Sequence, residues 1–175
     1  MTFSSQNYEK DIVPYLSEAG YTINNEPNAG GNSIKSEVLS YEVLRHCFAA
    51  KFLKGEMLIT YFPYGSKITD YLVTIKGVKI GVSVTRAFHY KGHSFYNEEQ
   101  ATKLLMKKLN GVNESSENVI RADKWKRQIL HCFVPTVGVA KIMKSAYKKL
   151  KHGYKTNTIL LITVTNGNFI FSEGC

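Results

Sequence analysis

Four polar side chains set among apolar neighbours carry most of the chemical potential of this sequence: Glu37, Asp70, Ser83 and Thr85. Glu37 stands one helical turn ahead of Tyr41 and Leu44, so it heads a stripe that Phe48 and Phe52 continue. Asp70 shares a period-two face with Ile68, Leu72 and Thr74, a poor place for a mere surface charge. In the following run Ile80, Val82 and Val84 form one apolar face, and Lys79, Gly81, Ser83 and Thr85 form a small polar one. The expectation is that Glu37, Asp70 and the Ser83/Thr85 face surround one polar cleft. The structural alternatives are a carboxylate favoured by a helix N-terminal dipole for Glu37 and an Asx-type bond at a strand end for Asp70.

The elements that must position these residues follow from periodicity and punctuation. Residues 8–19 predict a short helix limited by Pro14, and the polar stretch 24–32 predicts a loop. Ser33 is the expected N-cap of a helix over 34–53, stopped by Gly55. Strands are expected at 57–62, 67–75 and 79–86, the last two joined as a hairpin through Lys76-Gly77-Val78. A loop with His89, Gly92 and His93 leads to a helix over 98–109, ended by Gly111, with a loop over 111–124. A buried strand at 129–134 ends at Pro135, and 137–151 is an amphipathic helix with Ala140, Met143, Tyr147 and Leu150 inside. Strands at 158–165 and 169–171 flank Asn166-Gly167, a hairpin signal. The order α-β-β-β-α-β-α-β-β gives an α/β fold with a mixed β-sheet flanked by helices. One domain over 1–175 is expected, with an N-terminal extension to 33 and a core from 34.

A helix bearing Glu, three strands, an Asp in the second and a polar face on the third resembles the PD-(D/E)xK, or restriction-endonuclease-like, superfamily. The resemblance covers roughly residues 34–134 and implies an α-β-β-β-α-β core, with the family's Glu at Glu37 and its motif Asp at Asp70. Its E-x-K pair falls on Ser83-Val84-Thr85, thirteen residues after Asp70, where neither the carboxylate nor the lysine is present. The segments 83–87 (SVTRA) and 101–109 (ATKLLMKKL) are also similar to an uncharacterised eukaryotic family. Nucleases of the superfamily hold Mg²⁺ with two or more carboxylates, and a lysine stabilises the attacking hydroxide. Glu37 and Asp70 supply two metal ligands if the protein is active. Lys79 shares the face of Thr85 but lies about 20 Å away along an extended strand, leaving Arg86 or His89 to substitute from the strand's end.

Other constellations are weaker. His46-Cys47 and His131-Cys132 are adjacent pairs whose side chains diverge, and no zinc spacing sits on a secure helix. Cys47 and Cys132 read as reduced core thiols, which places the chain in the cytoplasm or nucleus, and no apolar run is long enough to span a membrane. No phosphate loop of the G-x-x-x-x-G-K-[ST] type occurs. Trp125, among Lys124, Lys126 and Arg127, would either stack on a base or cover the core edge.

Charge supplies the partner. Residues 1–100 hold 10 basic and 10 acidic side chains, whereas 101–155 hold 13 Lys/Arg against 3 Asp/Glu. Such a block attracts polyanions, although a lysine face kept for solubility has the same composition. The expected nucleic-acid contacts are Lys103, Lys107, Lys124, Lys126, Arg127, Lys141, Lys144 and Lys148. The reading is a nucleic-acid-binding domain, DNA or RNA, with a catalytically inactive nuclease-like fold, no resident cofactor and no membrane partner. The rivals are a Mg²⁺-dependent nuclease with a rearranged site and a structural subunit of a larger complex.

Overall fold

The computed structural model describes residues 12–27, 29, 33–88 and 96–171. The loop with His89 and His93, the first residues of the expected 8–19 helix, and Cys175 lie outside the described residues. In chain order the elements are α1 (Glu18–Asn25), α2 (Ile34–Phe48), β1 (Lys51–Gly55), β2 (Tyr71–Ile75), β3 (Val78–Arg86), α3 (Glu98–Asn118), β4 (Arg127–Val134), α4 (Val137–Lys149), α5 (His152–Lys155), β5 (Thr158–Val164) and α6 (Asn168–Phe171). The five strands form one mixed sheet in the order β1-β2-β3-β4-β5. The first two pairings are antiparallel and the last two parallel. The fold is therefore α/β, with the expected α-β-β-β-α-β order running from α2 to β4. Among the described residues no helix is long and apolar enough to cross a membrane.

The β2–β3 hairpin turns on Lys76 and Gly77, at φ 49° and 76°. Two left-handed residues in a two-residue loop match the right-handed twist of the flanking strands. β3, β4 and β5 are joined through α3 and α4. Because parallel crossovers are right-handed and the strands advance in one direction, both helices fall on the same side of the sheet. There Leu105, Leu109, Met143 and Ala146 pack on Leu130, Cys132 and Val134. α2 covers the opposite side, with Val38, Tyr41 and Leu44 on Val73, Val82, Val84 and Phe133. A third cluster, Ile59, Leu72, Val119 and Trp125, closes the α3 side near β2.

Several expected boundaries are corrected. α2 ends at Phe48 because Ala49 turns left-handed (φ 53°, ψ 39°), its amide donating to Leu44 O. Residues 51–55, read as the end of that helix, are β1, and the expected strand 57–62 is a short 3₁₀ turn (Glu56–Leu58) and a loop. Phe52 fitted the helical stripe because it does meet Tyr41, edge-to-face at 5.7 Å, but from a strand that folds back. Phe48 and Cys47 are exposed, so Cys47 is not a core thiol; Cys132 is. β2 begins only at Tyr71, which leaves Asp70 just ahead of the strand. α3 runs through Gly111 to Asn118, since Val112 and Ser115 continue its buried stripe. Its start is fixed by a capping box between Asn97 and Gln100. The stretch 168–171 is one helical turn instead of a strand, and the Ile170 amide donates to Gly167 O. The N-terminal helix lies at 18–25, after a 3₁₀ turn containing Pro14.

Trp125 covers the core edge. It is 5% exposed, and a Cβ added at Gly81 would sit 2.8 Å from its indole. The glycine in the polar face of β3 is thus a seat for the ring, and the ring's N–H donates to Gln128 Oε1 at 3.1 Å and Ser116 Oγ at 3.0 Å. It is not a base-stacking surface.

Candidate functional site

Glu37 and Asp70 lie close together. Together with Glu26, Glu56 and Gly55 they line one small cavity where α2, the end of β1 and the start of β2 meet. Asp70 is half-buried, and its Oδ2 accepts from the Val84 amide at 2.5 Å, which ties the start of β2 to the C-terminal half of β3. The site therefore sits toward the carboxyl end of the parallel strands β3 and β4, where open α/β sheets present their ligand crevice.

Charge is crowded here. Burial, then the neighbouring Glu37 carboxylate, push the Asp70 carboxyl up to about 7, and Glu56 adds to the rise. The Val84 amide and the Lys108 ammonium oppose it. Burial holds the Arg86 guanidinium below its ordinary range, and the Glu37 charge acts against that shift. Two cations on opposite layers, Arg86 from the end of β3 and Lys108 from α3, thus act on the two expected carboxylates. Arg86 also donates to Ile170 O at 3.1 Å.

Ser83 and Thr85 do not join this cleft from the α2 side. They are buried on the opposite face of β3 from Val82 and Val84. Glu26, Glu56 and Lys108 were missed by sequence reasoning. Glu26 sat in a stretch read as loop and Glu56 between the expected helix stop at Gly55 and the expected strand 57–62, with no periodicity to mark them. Lys108 had a signal: it flanks Leu105 and Leu109 on the helical wheel and is half-buried, unlike the exposed Lys103 and Lys107.

Among the described residues no three His, Cys, Asp or Glu side chains come together as a metal site. Glu37 and Asp70 would supply two oxygen ligands, with water filling most of an octahedral shell.

Because burial and like charge make the ionised Asp70 costly, its removal should stabilise the fold. A carboxyl with a folded pKa above its unfolded one binds an extra proton in the native state, so stability falls as pH rises from about 4 to about 7. Asp70→Asn keeps an oxygen for the Val84 amide and should raise stability by about 1–3 kcal/mol at pH 8. The gain should vanish toward pH 4. Thermal melts of both proteins across this range check it; a variant less stable at pH 8 would contradict the electrostatic account.

Behind the carboxylates runs a buried polar chain. Ser40 Oγ, one turn after Glu37, lies 2.5 Å from Tyr71 OH and 2.7 Å from His131 Nδ1. His131 Nε2 lies 2.8 Å from Thr163 Oγ1. These bonds clamp α2 to β2, β4 and β5 beside Glu37 and Asp70. Burial pushes the His131 pKa down to about 3, so the ring is neutral. Ser40 and His131 are fully buried, which makes this chain a structural clamp and not a nucleophile pair open to substrate.

The basic side chains occupy the other layer. Lys103 and Lys107 on α3, and Lys141, Lys144 and Lys148 on α4, are exposed on adjoining helices. Lys124, Lys126 and Arg127 are exposed at the entry to β4. Lys103 pairs with Glu99 at 2.7 Å, and the Lys124 ammonium donates to Ser116 O at the end of α3.

No family model matches the chain. It is 42% identical over 163 residues, 89% of its length, to the AAC-rich mRNA clone AAC4 protein of Dictyostelium discoideum, and spans 24% of that protein. Among solved structures it is similar to Pyrococcus furiosus SfsA in complex with Ca²⁺, at 13% identity and a TM-score of 0.33, over 78% of this chain and 67% of the other.

Proposed function

We propose that this chain is a nucleic-acid-binding domain on a restriction-endonuclease-like α-β-β-β-α-β scaffold whose catalytic centre is degenerate. The observation that carries the reading is that all eight expected basic contacts, Lys103, Lys107, Lys124, Lys126, Arg127, Lys141, Lys144 and Lys148, are exposed. Five of them lie on two adjoining helices of one layer. An array of that kind neutralises phosphates and releases their counterions without reading sequence. The carboxylate cluster fits the same reading. Where a nuclease would balance it with a metal, this chain sets Arg86 and Lys108 against Glu37 and Asp70. The reading places the protein inside the cell, where the buried Cys132 thiol stays reduced.

A metal-dependent nuclease with a rearranged site is the second reading. It is favoured by Lys108, which brings a cation toward Asp70 although Thr85 stands where the family's lysine would be. A gel-shift assay with Mg²⁺ or Mn²⁺ tests both on single-stranded and duplex DNA and RNA. The expected result is retarded, intact nucleic acid. Metal-dependent cleavage that disappears in Asp70→Ala would establish the second reading instead. Neither retardation nor cleavage at low salt would refute both.

A further inference from the structure

The loop between the 3₁₀ turn and β2 presents two aromatic rings to water. Phe62 is 79% exposed and Tyr64 fully exposed. Single exposed hydrophobic side chains are ordinary, but these two alternate along a segment whose backbone is tied down on both sides. The Phe62 amide donates to Asn118 O at 2.8 Å. Ser66 Oγ donates to Pro63 O at 2.6 Å and accepts from Asn118 Nδ2 at 3.0 Å. The Lys67 amide donates to Glu114 Oε1 at 3.0 Å. Gly65, at φ 86° with open space around it, turns the chain directly after Tyr64. The main chain is held against the C-terminal half of α3 while the rings point away from it.

Three lysines flank the loop. The side-chain stem of Lys67 lies beside Gly111, 3.8 Å from where a Cβ would be. Lys107, one turn earlier at i−4, shares that helix face. Lys124 reaches the carbonyls of Ser116 and Glu117, next to the Asn118 carbonyl that holds Phe62. Glu114 and Glu117 are the acidic neighbours on this turn of the helix, and the Glu114 carboxylate accepts from the Lys67 amide.

We propose that Phe62 and Tyr64 form a base-stacking platform for single-stranded nucleic acid, with Lys67 and Lys107 taking the adjoining phosphates. The proposal rests on the nucleic-acid reading above and names its substrate class. Single strands are bound by aromatic rings beside a basic track, because unpaired bases offer their π faces to stacking. In a duplex those faces are covered by neighbouring base pairs, so the rings would meet only edges and backbone. A preordered loop also loses little conformational entropy when a base settles on it.

The test is fluorescence anisotropy with a labelled single-stranded oligonucleotide and its duplex at low salt, using wild type and Phe62→Ala/Tyr64→Ala. The double variant should bind the single strand about 10- to 100-fold more weakly, with duplex affinity changed by less than about twofold. Tyr64→Ala alone, at a fully exposed side chain, should show part of the loss with an unchanged melting temperature. Single-strand affinity that survives the double substitution, while duplex and single strand are both bound, would overturn the platform and leave the nucleic-acid reading standing. Equal weakening on both substrates would also overturn it, since the loop would then act without stacking. Binding of neither substrate by wild type would overturn the underlying reading as well.

Discussion

Reversing Lys107, Lys141 and Lys144 to glutamate together should weaken nucleic-acid binding by about 10²–10³-fold near 0.1 M salt. Each phosphate neutralised by a lysine contributes close to one counterion released, and three lost contacts remove about 2.7 decades at that salt. The three residues are exposed on α3 and α4, and such surface substitutions shift stability by only about 0.5 kcal/mol. Lys103 is a weaker choice because Glu99 already pairs with it. A filter-binding titration of the triple variant against wild type makes the comparison. A loss smaller than about threefold would show that this layer is not the phosphate surface, and would return the lysines to a solubility role.

Acid should unfold the protein through His131. Its ring is fully buried and held neutral between Ser40 and Thr163, with a pKa pushed down to about 3 by burial. Unfolded histidine takes up a proton near pH 6.5. A base whose folded pKa lies below its unfolded one stabilises the fold above the unfolded value and loses that contribution as pH falls. Between pH 6.5 and pH 4 the loss from this one ring amounts to about 3 kcal/mol. Asp70 works in the opposite direction over part of the same window, because its raised pKa makes the fold more stable as pH drops toward 4. The wild-type profile is the difference of the two, and variants separate them. His131→Asn starts less stable, since partners of the ring in the chain from Tyr71 to Thr163 lose hydrogen bonds, but should lack most of the acid sensitivity. Asp70→Asn should steepen it. Urea unfolding at several pH values reads these slopes, and equal acid sensitivity in wild type and His131→Asn would refute the role given to the ring.

Much of this arrangement was legible in the residues, for identifiable reasons. Alternation in β3 and the Lys76-Gly77 turn set the hairpin, and Glu37 and Asp70 stood out because each interrupts an apolar pattern. The boundary between α2 and β1 was not legible: Phe52 satisfies a helical period and a return strand equally well, and the left-handed turn is made by Ala49, a residue with no such preference. Gly111 misled because a glycine within a helix and one after it look alike until the buried Val112 and Ser115 are seen. The clamp of Ser40, Tyr71, His131 and Thr163 spans four separate elements, and nothing in local spacing brings them together. The placing of Ser83 and Thr85 away from Glu37 follows from the pleat, which sends them to the face opposite Val82 and Val84.

The most direct measurement is the affinity of the wild-type protein for a labelled oligonucleotide across a series of salt concentrations. The account predicts that log K falls linearly with log salt, with a slope of about −4 to −7, as several phosphate contacts require. No binding at the lowest salt, or an affinity indifferent to salt, would contradict it.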